Sequence, residues 1–435
     1  MSKPKLSIFW FRRDLRLDDN IGLYNALKGD HPVLPLFIFD SEILDKLEDK
    51  DDARVHFIHS EISDINDQLR SKNSGLLVKH GNPLSIWKSL IDQYDIQAIY
   101  ANRDYEPYAR SRDKELFTLL DSKGIKFHSF KDHVIFEKNE VVKEDGDPYV
   151  VFTPYSKLWL KTLTSAHLES VTSALQFENF YEGDIPSIPS LNDIGFQESN
   201  IPIPDKTVKE SILANYGQDR DYPDKNGTSR LGIHLRFGTI SIRKLAQKAR
   251  EKSSTYLNEL IWREFYQMIL WHFPKVVDNN FKSKYDRVHW RNDEKEFEAW
   301  CEGKTGYPIV DAGMRELNQT GHMHNRVRMI VASFLTKHLL IDWKWGEAYF
   351  ARKLLDYELA SNNGGWQWAA GTGTDAQPYF RIFNPESQTK KFDPELKYIK
   401  KWVPEFQELS YPKPIVDHKF ARERCLDTFK EALGK

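Results

Sequence analysis

The sequence predicts an α/β protein. It should have an N-terminal domain on a doubly wound parallel sheet, a long connector, and an all-helical domain after it. Three observations carry this. Over residues 6–130 short apolar runs alternate with segments of helical period, the pattern of strands joined by helical crossovers. Between His133 and Lys206 the pattern loosens into prolines and scattered acids. From Lys206 onward strand alternation disappears and helical periodicity dominates. The expected division is 1–132, 133–205 and 206–435, and a chain of 435 residues is longer than one core usually organises.

In the first domain Leu6–Phe11, Val33–Phe39, Leu76–Val78, Ala98–Tyr100 and Lys126–Phe130 read as strands. Between them Val55, Ile58, Ile62, Ile65 and Leu69 share one helical face. Ile86, Trp87, Leu90, Ile91 and Tyr94 share another, with Pro83 near the helix start. Ligands settle at the carboxyl ends of parallel strands. Arg12-Arg13-Asp14-Leu15-Arg16 leaves the first strand at such a place; the cluster equally suits a surface ion-pair network. The connector holds a helical piece around Ser156–Leu175, with Leu158, Trp159, Leu160 and Leu163 as its apolar side.

Composition bounds the function. Hydrophobic residues make up 40% and the net charge is −2, so a nucleic-acid surface has to be a local patch. Two cysteines, Cys301 and Cys425, supply neither a disulfide framework nor a metal set, which fits a reducing cytosol. No secretory leader or membrane-spanning run is legible, so a cytoplasmic protein without a membrane is expected. No paired histidine spacing with a supporting carboxylate occurs, and no metal is expected.

The chemistry concentrates in the helical domain. In Leu354–Pro385 the string Asn362-Asn363-Gly364-Gly365 sits badly in an ordinary helix, where Gly costs about 1 kcal/mol against Ala. Neighbouring glycines suggest close backbone approach to something flat or tightly packed. Asp356, Glu358 and Asn362 lie at near-helical spacing, and Trp366 and Trp368 follow. The stretch suits either a buried turn among core aromatics or a polar cradle for a heteroaromatic cofactor. Gly371-Thr372-Gly373-Thr374-Asp375-Ala376 satisfies GxGxxA but follows no strand, so it is not a nucleotide fingerprint. In the helix expected near Thr255–Leu270, Leu257, Leu260, Ile261, Phe265 and Met268 share one face. Glu259, Trp262, Arg263 and Tyr266 share the other, a composition that fits a wet cavity wall or a second packing face. On the helix expected from His322, Asn325, Arg328 and Met329 oppose Val327, Val331 and Phe334. Arg381, Lys390, Lys391, Lys397, Lys400 and Lys401 outnumber nearby acids, as a solvated face or a phosphate rim would require.

These segments resemble the photolyase/cryptochrome family. So do Phe11-Arg12-Arg13-Asp14-Leu15-Arg16, Gly227-Thr228-Ser229-Arg230-Leu231, Asn258–Phe265, Gly303-Lys304-Thr305-Gly306-Tyr307-Pro308 and Met323–Met329. The match runs from the first strand nearly to the C-terminus and is most similar to the class I cyclobutane pyrimidine dimer DNA photolyases. The resemblance implies light-driven repair of such dimers by electron transfer from excited reduced FAD. The partner would be damaged DNA, double- or single-stranded, and the protein a monomer. It implies that Tyr216, Thr228, Ser229, Leu231 and Gly232 hold the dinucleotide part of FAD, and that Arg328, Asp356, Glu358 and Asn362 hold the flavin. Glu259, Trp262, Asn325 and Met329 would meet the dimer. Arg220, Trp262, Arg263, Asn325 and Arg381 would meet DNA, and Trp366, Trp343 and Trp290 would pass electrons. His322 stands where close relatives carry Trp. The rival from the same family is a cryptochrome, a flavin photoreceptor without repair; a long polar tail would be expected of it, and the sequence ends at Lys435. For a second, antenna chromophore, Tyr108-Ala109 replaces the Asn-Glu of the folate-binding version. That leaves a deazaflavin, a second flavin or nothing.

Overall fold

The computed structural model describes residues 3–172 and 177–435. It contains two compact units that interleave along the chain, unlike the linear division expected at 132 and 205. The first comprises Met1–Glu137, Leu163–Lys206 and Leu231–Lys248; the second comprises Lys138–Thr162, Thr207–Arg230 and Ala249–Lys435. The expected connector is therefore divided between them.

The first unit is built on β1 (Lys5–Phe11), β2 (Val33–Asp40), β3 (Leu77–Gly81), β4 (Asp95–Asn102) and β5 (Lys126–Phe130). They form one sheet in the order β3-β2-β1-β4-β5, every pair parallel. The central strands β1 and β2 are buried on both faces, which is why they read as continuous apolar runs, whereas β3 and β5 at the edges carry polar residues. Leu6, Ile8 and Trp10 of β1 pack with Trp87, Leu90 and Leu116. Phe9 and Phe11 point the other way, into a core with Val55, Ile62, Ile65 and Leu69. Strand order reverses between β1 and β4, and the arginine cluster leaves β1 there. It is an ion-pair network, but a largely buried one. Arg12 pairs with Asp113 at 2.6 Å, Arg13 with Asp104 at 3.1 Å and Arg16 with Asp132 at 2.7 Å. Asp14 is buried among them. The crevice at this switch point retains a void of about 10 Å³.

The second unit is helical. Its first helix, Phe152–Thr162, is shorter than the expected piece and buries Phe152, Tyr155 and Trp159. Leu160 is exposed, one residue off that face. The expected span continued through Ser173–Leu175, which lie outside the described residues. The helix Ser254–His272 is capped by Ser253, whose side chain accepts from the Tyr256 N–H, and it buries Leu257, Leu260, Ile261, Phe265 and Met268 as expected. The helix expected from His322 starts instead at Asn325. His324 is its N-cap, its Nδ1 accepting from the Arg326 N–H at 3.2 Å. His322 precedes the helix and lies 3.5 Å from the Glu316 carboxylate.

The main departure from expectation is Leu359–Ala370. It is one uninterrupted helix through Asn362-Asn363-Gly364-Gly365. A Cβ at Gly364 would lie 2.2 Å from Cδ1 of Tyr266, so the missing side chain lets this helix settle directly on that ring. Close packing outweighs the local helix cost. At the helix end, the buried Lys337 amine donates to the Ala370 carbonyl at 2.5 Å, and burial holds its pKa down to about 8.

Beside it His338 stacks on Phe334 with centroids 4.8 Å apart, and its Nε2 lies 2.8 Å from Nδ1 of His418. Burial, then His418 and Arg424, lower the His338 pKa from 6.5 to about 3. Unfolded, this group takes up a proton as pH falls below 6.5; folded, it refuses one until far lower. Its contribution to stability is therefore present above that pH and lost as pH falls, by about 1.4 kcal/mol per pH unit. His338→Gln keeps a polar partner for His418 without a titrating proton. Its melting temperature should decline less steeply below pH 6.5 than that of the wild type; an unchanged slope would remove His338 from the acid response.

Candidate functional site

Three helices of the second unit, Ser254–His272, Asn325–Ser333 and Leu359–Ala370, converge with the segment Leu354–Glu358 on a cavity of about 390 Å³. One wall comes from the polar face read in the sequence: Glu259, Trp262, Arg263 and Tyr266, at i, i+3, i+4 and i+7. Trp262 is held flat against Phe152, centroids 3.7 Å apart and planes 5° apart. Arg263 pairs with Glu358 at 3.2 Å, and Gln267 donates to the same carboxylate at 2.9 Å. Arg220 forms a short ion pair with Glu259. Burial raises the Glu259 pKa and Asp221 adds to it, while Arg220 opposes.

The second wall carries Asn325, Arg328 and Met329, with Val327, Val331 and Phe334 buried behind. Arg328 donates to Asp356 at 2.9 and 3.1 Å and to the Met323 carbonyl at 2.7 Å. Arg328 is thus held by the carboxylate and by the Met323 carbonyl at once.

The third wall carries Ser361, Asn362, Gly365, Trp366 and Trp368. The Asn362 amide nitrogen donates to the Glu347 carboxylate at 2.8 Å and to its carbonyl at 3.1 Å. That leaves the Asn362 carbonyl oxygen as an acceptor. Burial raises the Glu347 pKa. A Cβ on Gly365 would meet nothing within 4 Å. The floor here is open backbone between an amide and an indole, suited to a flat ring with hydrogen-bonding edges.

The expected tryptophans fall in one aromatic core. Trp366 lines the cavity, with Phe350 at 5.0 Å and Trp300 at 6.0 Å as ring neighbours. Trp343 is fully buried and donates to Asn280 at 2.9 Å. Trp290 is half-buried, its ring 6.0 Å from Phe429. Sequence reasoning did not assign Trp300, whose contact with Trp366 does not show in local spacing; Trp368, read beside Trp366 in the expected cradle, lines the cavity.

Tyr216, Thr228 and Ser229 do not line the cavity. Tyr216 packs edge-on to Tyr256 at 5.0 Å, and the Tyr256 hydroxyl donates to Ser229 at 2.9 Å. Leu231 and Gly232 belong to the first unit, where Gly232 opens the helix Gly232–Phe237. Arg381 lines a side cavity of about 230 Å³ with Arg326, Lys391, Phe383 and Phe392; Met329 and Trp368 border both cavities.

Known proteins share this architecture. The model of the FAD binding domain of DNA photolyase matches residues 256–431, and that of DNA photolyase matches residues 7–173. A Halobacterium salinarum protein named deoxyribodipyrimidine photo-lyase is 37% identical, covering 99% of this chain and 100% of its own. A class III photolyase from Agrobacterium tumefaciens superposes with a TM-score of 0.89 at 33% identity, covering 100% and 99% of the two chains. A Sulfolobus tokodaii photolyase described with two FAD molecules gives 0.82 at 35% identity, covering 98% and 99%. The cavity with its open backbone floor lies within the region matched to the FAD-binding domain, except for Arg220, and the chain belongs to the DNA photolyase family.

Proposed function

We propose that this protein repairs cyclobutane pyrimidine dimers in DNA, using light absorbed by reduced FAD bound in the cavity. The observation that carries the reading is that one cavity has two kinds of wall. Asn362, Asp356, Arg328 and the open floor at Gly365 fit the edges and face of an isoalloxazine. Glu259, Trp262, Asn325 and Met329 offer an aromatic plane and polar groups suited to bases turned out of a duplex. Bound in reduced form, FAD supplies the electron that opens the cyclobutane ring and takes it back.

The chain's residues then divide the work. Glu347 orients Asn362 so that its carbonyl oxygen accepts from an N–H at the flavin edge. Arg328 and Asp356, held together, present a donor and an acceptor to another edge; Glu358, tied to Arg263, supports that wall. Tyr216, Thr228, Ser229, Leu231 and Gly232 serve the dinucleotide part. Trp262 stacks on a base, worth roughly 1–3 kcal/mol. Glu259, its pKa raised by burial, bonds the dimer once Arg220 releases it to DNA. Arg263 and Arg381 meet the strand, single or double, and the protein acts as a cytoplasmic monomer. Trp366, next to the floor, is the entry point for electrons arriving through Trp343 and Trp290. The crevice between β1 and β4 is filled by paired side chains to a void of about 10 Å³, so a second chromophore settling there would have to displace them.

Asn325 and Met329 decide the lesion. Neither titrates, so the pair cannot deliver the proton that moving a hydroxyl between bases requires. Splitting a cyclobutane needs no such transfer. Illuminated with two oligonucleotides, one per lesion, the reduced enzyme should restore the cyclobutane dimer and leave the (6-4) product unchanged. Appreciable (6-4) turnover would overturn the assignment.

Two substitutions separate the roles. Glu259→Gln should retain FAD and lower the repair yield several-fold; loss of FAD instead would make Glu259 part of the cofactor site. Trp366→Phe should stop photoreduction of oxidised flavin by an external donor and spare repair after chemical reduction. Unimpaired photoreduction would take Trp366 out of the electron path.

A further inference from the structure

The helix Glu210–Asp219 is followed by two residues of opposite charge, Arg220 at its C-cap and Asp221. Each crosses to the opposite charge. Arg220 pairs with Glu259 on the cavity wall, and Asp221 accepts from Nη2 of Arg326 at 2.7 Å. The Arg326 guanidinium also lies over the Phe392 ring, 4.2 Å from its centroid. It lines the side cavity with Arg381 and Lys391. No carboxylate is among the residues lining that cavity, and Gln377, buried and with an unpartnered Oε1, is one of them. Asp221 is the one acid paired with Arg326 among the described residues.

We propose that Asp221 is an anionic stand-in for a DNA phosphate: it occupies Arg326 in the free protein and is displaced when the damaged strand binds. The proposal rests on the reading of this site as one for DNA. Carboxylate and phosphate both match a guanidinium fork, so one can replace the other on the same donors. The Asp221 side chain is 41% exposed and that of Arg326 18%. A pair this open to water is weak enough to exchange. Its consequence is selectivity. Phosphate contacts attract any sequence, and three unopposed cations beside the cavity would hold undamaged DNA. An internal anion on the most buried of them raises the threshold for engagement, so binding depends more on the bases that enter the main cavity. Arg220 and Asp221 thus form one clasp, Arg220 guarding Glu259 and Asp221 guarding Arg326.

The test is dark binding of duplexes with and without a cyclobutane dimer to the FAD-loaded protein, over a range of KCl. Wild type, Asp221→Asn, Arg326→Gln and the double variant are compared, with Asp221→Ser as a second removal of the charge. Flavin content and melting temperature identify any variant that misfolds. Asp221→Asn should bind undamaged duplex about threefold to tenfold more tightly, with the log–log salt slope steeper by about 0.9, one further phosphate contact. The gain should vanish when Arg326→Gln is also present. Unchanged or weaker binding by both Asp221 variants, or a gain that survives loss of Arg326, overturns the proposal. A wild type that binds neither duplex would instead overturn the reading of the site as one for DNA.

Discussion

The cavity depends on one contact, the helix Leu359–Ala370 lying on the ring of Tyr266. With no side chain at Gly364, the ring occupies the place where a Cβ would stand, 2.2 Å from Cδ1. The helix that carries Asn362, Gly365 and Trp366 therefore approaches the helix that carries Glu259, Trp262 and Arg263 with no intervening layer. Any side chain at Gly364 would have to move Tyr266, and overpacking of this kind costs roughly 1–3 kcal/mol. The same contact brings the two kinds of wall into one cavity. Lys337 fixes the far end of the helix through the Ala370 carbonyl.

Charge is managed as tightly as shape. Arg220–Glu259, Arg263–Glu358 and Arg328–Asp356 each place a cation beside an anion at the cavity. A lone charge removed from water would be costly, and removing one partner of a buried pair leaves that cost behind. Paired, the groups leave the aromatic and amide surfaces as the principal unspent features of the walls. The pairs differ in what they can yield. Arg263 and Glu358 have side-chain exposures of 10% and 7% and are braced by Gln267. Arg220 and Glu259 stand at 24% and 27%, more open to water and so more easily separated.

The sheet and the polar face of Ser254–His272 were legible because both follow a short period along the chain. Continuous apolar runs set between helical segments mark strands buried on two faces, and Glu259, Trp262, Arg263 and Tyr266 recur at helical spacing. The Asn362–Gly365 string misled because helix propensity is local whereas the Tyr266 contact is not. Leu160 was misplaced for a simpler reason: a one-residue step turns a helix by 100°. Pairings such as Arg220 with Glu259, 39 residues apart, and Trp300 with Trp366 leave no periodic trace. Arg12–Arg16 could be read as an ion-pair cluster, but not as a buried one, since its acids come from Asp104, Asp113 and Asp132.

The central claim is that flavin and dimer share this cavity closely enough to exchange an electron. It is tested most directly by the excited-state lifetime of the reduced, FAD-loaded protein, measured with and without DNA. An oligonucleotide carrying one cyclobutane dimer should shorten the lifetime, and the same oligonucleotide without the lesion should leave it unchanged. A lifetime indifferent to the dimer under saturating binding would contradict the shared cavity.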